Sequence, residues 1–189
     1  MKILLLDNYD SFTFNLLHYL QKYDGVVVDV FRNDAITVKE VAVYDAIVLS
    51  PGPGLPEQSG IMMELINEYK SQKKILGVCL GLQAIAVSFG YELYNLETVQ
   101  HGVARKTFLT APDSLFDEIP QDFICGRYHS WVVKNNDDNK NLITTATDES
   151  NYIMAMKHSE YNLRGVQFHP ESILTEHGNQ MMYNWLFKC

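Results

Sequence analysis

The chain has 189 residues, of which 47% are hydrophobic and 20% charged, and its net charge is −8 at pH 7. That is enough for one globular domain with a substantial core, and an acidic chain without a basic block is a poor match for nucleic acid or an anionic membrane. Three cysteines, Cys79, Cys125 and Cys189, are too sparse for a disulfide framework, and the opening apolar run ends at Asp7, too soon for a signal peptide, so a cytoplasmic protein is expected.

Residues 3–6 (Ile-Leu-Leu-Leu) form a short continuous apolar run, the pattern of a strand buried on both faces. Asp10 or Ser11 is placed to cap a helix running to about Tyr23, with Phe14, Leu16, Leu17 and Leu20 supplying most of its apolar face. Residues 26–31 predict a second strand. Residues 45–50 predict a third, stopped by Pro51-Gly52-Pro53-Gly54. A helix over about 59–71 follows, then a buried strand over 74–78 and a helix over 80–89. This alternation predicts an α/β fold in three layers, a mostly parallel sheet with helices on both faces. The second half changes character. Residues 91–109, 123–133 and 142–157 read as shorter strands joined by polar turns, one of them spanning 135–139. Residues 163–168 return to the buried-strand pattern, and 176–187 close the chain as a helix. With no linker, repeat or low-complexity tract, the expectation is a single domain over residues 1–189 with a small antiparallel or mixed excursion.

The chemistry concentrates in three places. Cys79 lies between Gly77 and Gly81 where a strand gives way to a helix. That is the frame of a nucleophile elbow, whose crowded turn needs glycine on either side. A buried structural thiol is the commoner fate of a free cysteine, but a helix N-terminus favours the thiolate. In His169-Pro170-Glu171, the proline biases His169 towards extended geometry, where residues i and i+2 share a side, so Glu171 can reach the imidazole. Cysteine, histidine and carboxylate make a nucleophilic triad. The third place is the loop 51–54. It reads either as a plain turn or as an oxyanion loop, in which Gly52 and Gly54 are free to donate because proline has no N–H. The amide of Leu80, after the nucleophile, is a second oxyanion donor. All three segments fall at the carboxyl ends of predicted strands, where sheets of this class bind ligands. His18, His101, His129, His158 and His177 have no clear carboxylate partner in sequence, so no metal is assigned. With no phosphate-binding glycine motif, no nucleotide cofactor is expected either.

On these residues the chain resembles the class I (triad) glutamine amidotransferases. The segments that carry the resemblance are residues 7–13 (Asp-Asn-Tyr-Asp-Ser-Phe-Thr), 50–54, 77–81, 128–130 (Tyr-His-Ser) and 165–172 (Gly-Val-Gln-Phe-His-Pro-Glu-Ser). The first two are similar to the branch that serves chorismate-using synthases. The resemblance implies a flavodoxin-like fold and attack by Cys79 on the side-chain amide of L-glutamine. It implies His169, oriented by Glu171, as general base and acid, and the Gly52 and Leu80 amides as the oxyanion hole. It places glutamine against Gly52, Pro53, Gly54, Gln83, Ser130 and Trp131. It implies no cofactor, and a chorismate-binding synthase subunit as the partner that receives ammonia for anthranilate or aminodeoxychorismate synthesis. Two positions depart from the family pattern: Leu82, where histidine is frequent, and Val103, where this branch commonly has lysine. Two rival readings retain the fold: a stand-alone γ-glutamyl hydrolase with the same triad, and a non-catalytic regulatory subunit.

Overall fold

The computed structural model describes residues 1–136 and 139–189. Strand β1 (Lys2–Asp7) lies between two parallel neighbours, β2 (Val27–Arg32) and β3 (Ala46–Leu49). Strand β4 (Lys74–Val78) extends the sheet beyond β3, and β9 (Leu163–Val166) extends it beyond β4, both in parallel. From β9 outward every pairing is antiparallel, through β8 (Ile153–His158), β7 (Leu142–Thr147), β5 (Leu93–Leu109) and β6 (Asp122–Val133). Among the described residues the sheet has nine strands in the order β2-β1-β3-β4-β9-β8-β7-β5-β6.

The central parallel strands β1, β3 and β4 are buried on both faces because they offer an apolar side chain at nearly every position, and alternate residues serve opposite faces. Leu4, Leu6, Ile47, Leu49 and Ile75 pack on one side with helices α2 (Met62–Tyr69) and α3 (Leu80–Ser88), through Leu65, Ile66, Ala84 and Ile85. Ile3, Leu5, Ala46, Val48, Leu76 and Val78 pack on the other side with α1 (Thr13–Leu20) and α4 (Gly178–Phe187), through Leu16, Leu20, Met181, Met182 and Trp185. The expected α/β architecture with helices on both faces is therefore present.

Local details refine these expectations. The antiparallel excursion supplies β5 to β8, and β5 alone runs 17 residues. Helix α1 begins after Phe12, and Asp10 caps its approach as expected, its Oδ1 accepting the Phe12 amide at 2.8 Å and its carbonyl the Thr13 amide at 3.2 Å. Asp7 Oδ1, at the end of β1, adds hydrogen bonds accepted from the Tyr9 and Asp10 amides and from the Thr13 hydroxyl. Phe14 is 63% exposed and does not belong to the buried face of α1. Of the polar turn expected over 135–139, residues 137 and 138 lie outside the described residues.

Candidate active site

Strands β3, β4 and β9 are adjacent and parallel, in a register that pairs Leu49 with Gly77 and Val78 with Val166. Their carboxyl ends therefore deliver residues 50–54, Cys79 and the segment leading to His169 to the same edge of the sheet.

Cys79 has φ 52° and ψ −100°, a backbone conformation that a residue with a Cβ rarely adopts. The surroundings hold it there. Its N–H donates to the Val166 carbonyl at 2.8 Å, and its own carbonyl accepts the Gln83 amide at 3.1 Å, the first bond of α3. The glycine frame is steric in origin. A Cβ on Gly77 would lie 2.4 Å from the Gly81 carbonyl carbon, and one on Gly81 would lie 2.6 Å from the Leu49 carbonyl oxygen. Leu80 opens α3, so its N–H is among the first-turn donors left without an acceptor inside the helix.

His169 and Glu171 are 1% and 3% exposed, with Nδ1 of the imidazole 2.8 Å from Oε1 of the carboxylate. The reach differs from the expected extended geometry. The Ser172 amide donates to the His169 carbonyl at 3.1 Å, closing a turn with Pro170 and Glu171 at its centre. The turn sits on the start of α4, where a Cβ on Gly178 would come within 1.9 Å of the Pro170 carbonyl oxygen. The His169 ring is flanked by Phe12 and Tyr128, with ring centroids 5.0 Å and 4.8 Å away. Its Nε2 is buried without a hydrogen-bond partner of ordinary geometry. Burial alone would push the His169 pKa down. Interaction with Cys79, and then with Glu171, outweighs burial and raises it to about 10, which makes the ring a strong enough base to hold a proton taken from a thiol.

The other expected residues meet in a cavity of about 430 Å³. Gly52, Pro53, Gly54, Gln83, Ser130 and Trp131 line it together with Cys79 and Leu80, and Leu55, Tyr128 and His129 complete the wall. Gln83 Nε2 donates to the Trp131 carbonyl at 2.9 Å and to Gln167 Oε1 at 3.2 Å. Gln167 Nε2 in turn donates to the Cys79 sulfur at 3.5 Å. Gln167, 0% exposed, was assigned no role from sequence. Its one signal there is a polar side chain inside an otherwise apolar run. Phe12 and Tyr128 were likewise missed, since only the folded chain brings them to His169.

A larger cavity of about 500 Å³ shares His129 with this one but contains neither Cys79 nor the loop 50–54, so the expected site residues rather than size single out the smaller cavity. His129 is 5% exposed, and neither ring nitrogen makes a hydrogen bond of ordinary geometry. Burial first, and then the charges of Arg127 and His169, lower its pKa to about 4, so it is neutral at pH 7. Leu82 and Val103 stand outside the cavity wall. Leu82 fills the space over Gly165 of β9, where a Cβ would come within 2.6 Å of Leu82 Cδ1, and Val103 lies opposite Arg127 in the β5–β6 pairing. Among the described residues, no group of three His, Cys, Asp or Glu side chains is arranged to hold a metal ion. No helix among them is long and apolar enough to cross a membrane.

A sharp strand–cysteine–helix turn lies beside a buried histidine–carboxylate pair at the carboxyl edge of an α/β sheet. The chain belongs to the family described as glutamine amidotransferase class-I, whose sequence model matches residues 4–189. It is 43% identical to anthranilate synthase component 2 of Azospirillum brasilense, over 97% of this chain and 94% of that protein. It is 40% identical to aminodeoxychorismate synthase component 2 of Escherichia coli, over 98% of this chain and 100% of that protein. A solved glutamine amidotransferase of Thermotoga maritima superposes with a TM-score of 0.79, covering 100% of this chain and 82% of its own. At 16% identity that likeness speaks for the fold alone.

Proposed function

We propose that this chain is the glutaminase subunit of a chorismate-using synthase, hydrolysing L-glutamine at Cys79 and passing the ammonia to a chorismate-binding subunit. The observation that carries the reading is the meeting, at one 430 Å³ cavity, of a strained cysteine, an amide-bearing glycine loop and the Gln83–Trp131 wall, with the His169–Glu171 pair buried next to the cysteine. His169 takes the thiol proton, and the sulfur attacks the side-chain amide carbon of glutamine. The oxygen, now negative, is held by the main-chain N–H groups of Gly52 and Leu80. His169 returns the proton to the departing nitrogen, so ammonia leaves and a γ-glutamyl thioester remains on Cys79. Water, deprotonated by His169, then hydrolyses the thioester and releases glutamate. Glu171 fixes the ring by accepting a hydrogen bond from Nδ1–H, while Gln83, Ser130 and Trp131 hold the amino-acid end of the substrate.

The relatives support the choice of partner, since both anthranilate and aminodeoxychorismate synthase components match over nearly the whole chain. Either synthase, or both, is served. The three cysteines are unpaired, which suits a reducing cytoplasm. The test is glutaminase rate against added chorismate-binding subunit, with and without chorismate. The proposal expects acceleration by the partner, loss of glutamine-dependent synthesis in Cys79→Ser, and retention of ammonia-dependent synthesis in that variant. A high rate for the isolated chain that no partner alters would instead mark a stand-alone hydrolase.

A further inference from the structure

We infer that the turn joining β1 to α1, residues 8–12, is a positioning element that holds both halves of the reacting site, Asn8 fixing the oxyanion loop and Phe12 fixing the ring of His169. The inference rests on the oxyanion role proposed above for the Gly52 amide.

Asn8 is 2% exposed and fully engaged. Its main-chain N–H donates to Ser50 Oγ at 2.9 Å, and its side-chain Nδ2 donates to the Ser50 carbonyl at 2.9 Å. Its Oδ1 accepts from Asn33 Nδ2 at 3.0 Å. The Asn33 carbonyl is itself fixed, accepting the Ile61 amide at 3.0 Å. Asn8 is thus anchored to the start of α2 and grips the residue on which the loop 50–54 begins. The contact continues to Gly52, where a Cβ would lie 2.6 Å from both Cβ and the carbonyl oxygen of Asn8. Glycine adopts either hand of φ at little cost, so a loop carrying Gly52 and Gly54 has no intrinsic reason to keep one amide aimed at the oxyanion. Two hydrogen bonds to Ser50 and direct contact with Gly52 remove that freedom.

The other end of the same turn reaches the proton-transfer half. The Phe12 ring stands edge-on to His169, 5.0 Å between centroids, and 4.8 Å from Tyr128. Between the two ends, Tyr9 has φ 63° and is 48% exposed, with its hydroxyl on Asp34 at 2.7 Å and the Arg32 guanidinium over its ring. Asp7 gathers the amides of Tyr9 and Asp10 and the Thr13 hydroxyl. The turn is therefore rigid by construction rather than a loose connection.

The two ends predict separable signatures. In Asn8→Ala, kcat for glutamine should fall at least about tenfold, since losing an oxyanion donor outright costs about a hundred- to a thousandfold. KM should stay within about twofold, and alkylation of Cys79 by iodoacetamide, which needs no oxyanion donor, should proceed at the parental rate. In Phe12→Leu, the alkylation rate at pH 7 should fall together with kcat, because the imidazole is no longer held against the sulfur. Parental kcat in a folded Asn8→Ala, or alkylation falling in parallel with kcat there, overturns the role of Asn8. Parental alkylation and turnover in Phe12→Leu overturns the role of Phe12. Should Asn8→Ala not fold, Ser50→Ala removes the Oγ that accepts the Asn8 amide at 2.9 Å and donates to the Pro51 carbonyl at 2.7 Å, and it carries the same expectation at smaller size, with parental kcat again the contrary result. Gly52→Ala separates this inference from the reading beneath it. Turnover lost in Gly52→Ala but kept in Asn8→Ala contradicts the clamp alone. Turnover kept in Gly52→Ala contradicts the oxyanion assignment.

Discussion

Acidification should destabilise this protein through His129. The folded chain holds that ring neutral, with its pKa pushed by burial, and then by Arg127 and His169, from 6.5 to about 4. The unfolded chain protonates it near 6.5. Stability therefore falls as pH drops through 6.5 and keeps falling until about 4, where the folded form also takes up the proton. Across the whole window the gap corresponds to about 3 kcal/mol, and between pH 7 and pH 5 to about 2 kcal/mol. His169 has the opposite sign. Its folded pKa of about 10 gives a contribution fully present below 6.5 and lost as pH rises towards 10, so it is nearly constant across the acid window. Replacing His129 with glutamine removes the titration while keeping a polar side chain of similar reach. Urea unfolding of parent and His129→Gln at pH 7 and pH 5 isolates the term, because all other titrations cancel in the double difference. The parent should lose about 2 kcal/mol more than the variant between the two pH values. Equal losses would refute the reasoning and mean that His129 is solvated or partnered in solution.

Two further substitutions probe the site directly. His169→Ala should lower the glutaminase kcat by about a thousandfold or more, and Glu171→Gln by clearly less, because one group moves protons and the other orients it; steady-state kinetics of both variants check the order. Gly178→Ala should lower kcat and melting temperature together, since its Cβ would press on the Pro170 carbonyl oxygen at 1.9 Å and displace the turn that holds His169 against Glu171; a variant with parental values of both would show that α4 does not set the turn.

The parts of the fold legible in sequence are those whose burial is two-sided or whose turns admit few residue types. Residues 3–6 and 46–49 are 0% exposed throughout, and a strand covered on both faces announces itself as an unbroken apolar run. The elbow was legible because Gly77 and Gly81 are the residues that fit against their neighbours' backbones there. Long-range substitution of local signals hid other features. At the start of α1 the local cap Asp10 was legible, but not the share taken by Asp7, six residues before Thr13, which accepts the Thr13 hydroxyl. The stretch 91–109 was legible as strand and β5 (Leu93–Leu109) fills most of it, although most of its residues are exposed; its pairing with both β6 and β7 was not legible. The pairing of His169 with Glu171 was legible, but not its route: proline biases the residue before it towards extended geometry and equally favours position i+1 of a turn, and here the turn operates. Asn8, Phe12 and Gln167 acquire their positions only when β1, β3 and β9 come together, and nothing local to them states it.

The most direct test of the central claim is to look for the acyl-enzyme. The protein is mixed with carbon-labelled L-glutamine, quenched in acid during turnover, digested and mapped by mass spectrometry. The account predicts a hydroxylamine-sensitive γ-glutamyl group on the peptide carrying Cys79, with Cys125 and Cys189 unmodified. Sustained glutamine turnover with the label on another residue, or with Cys79→Ser turning over at the parental rate, would contradict it.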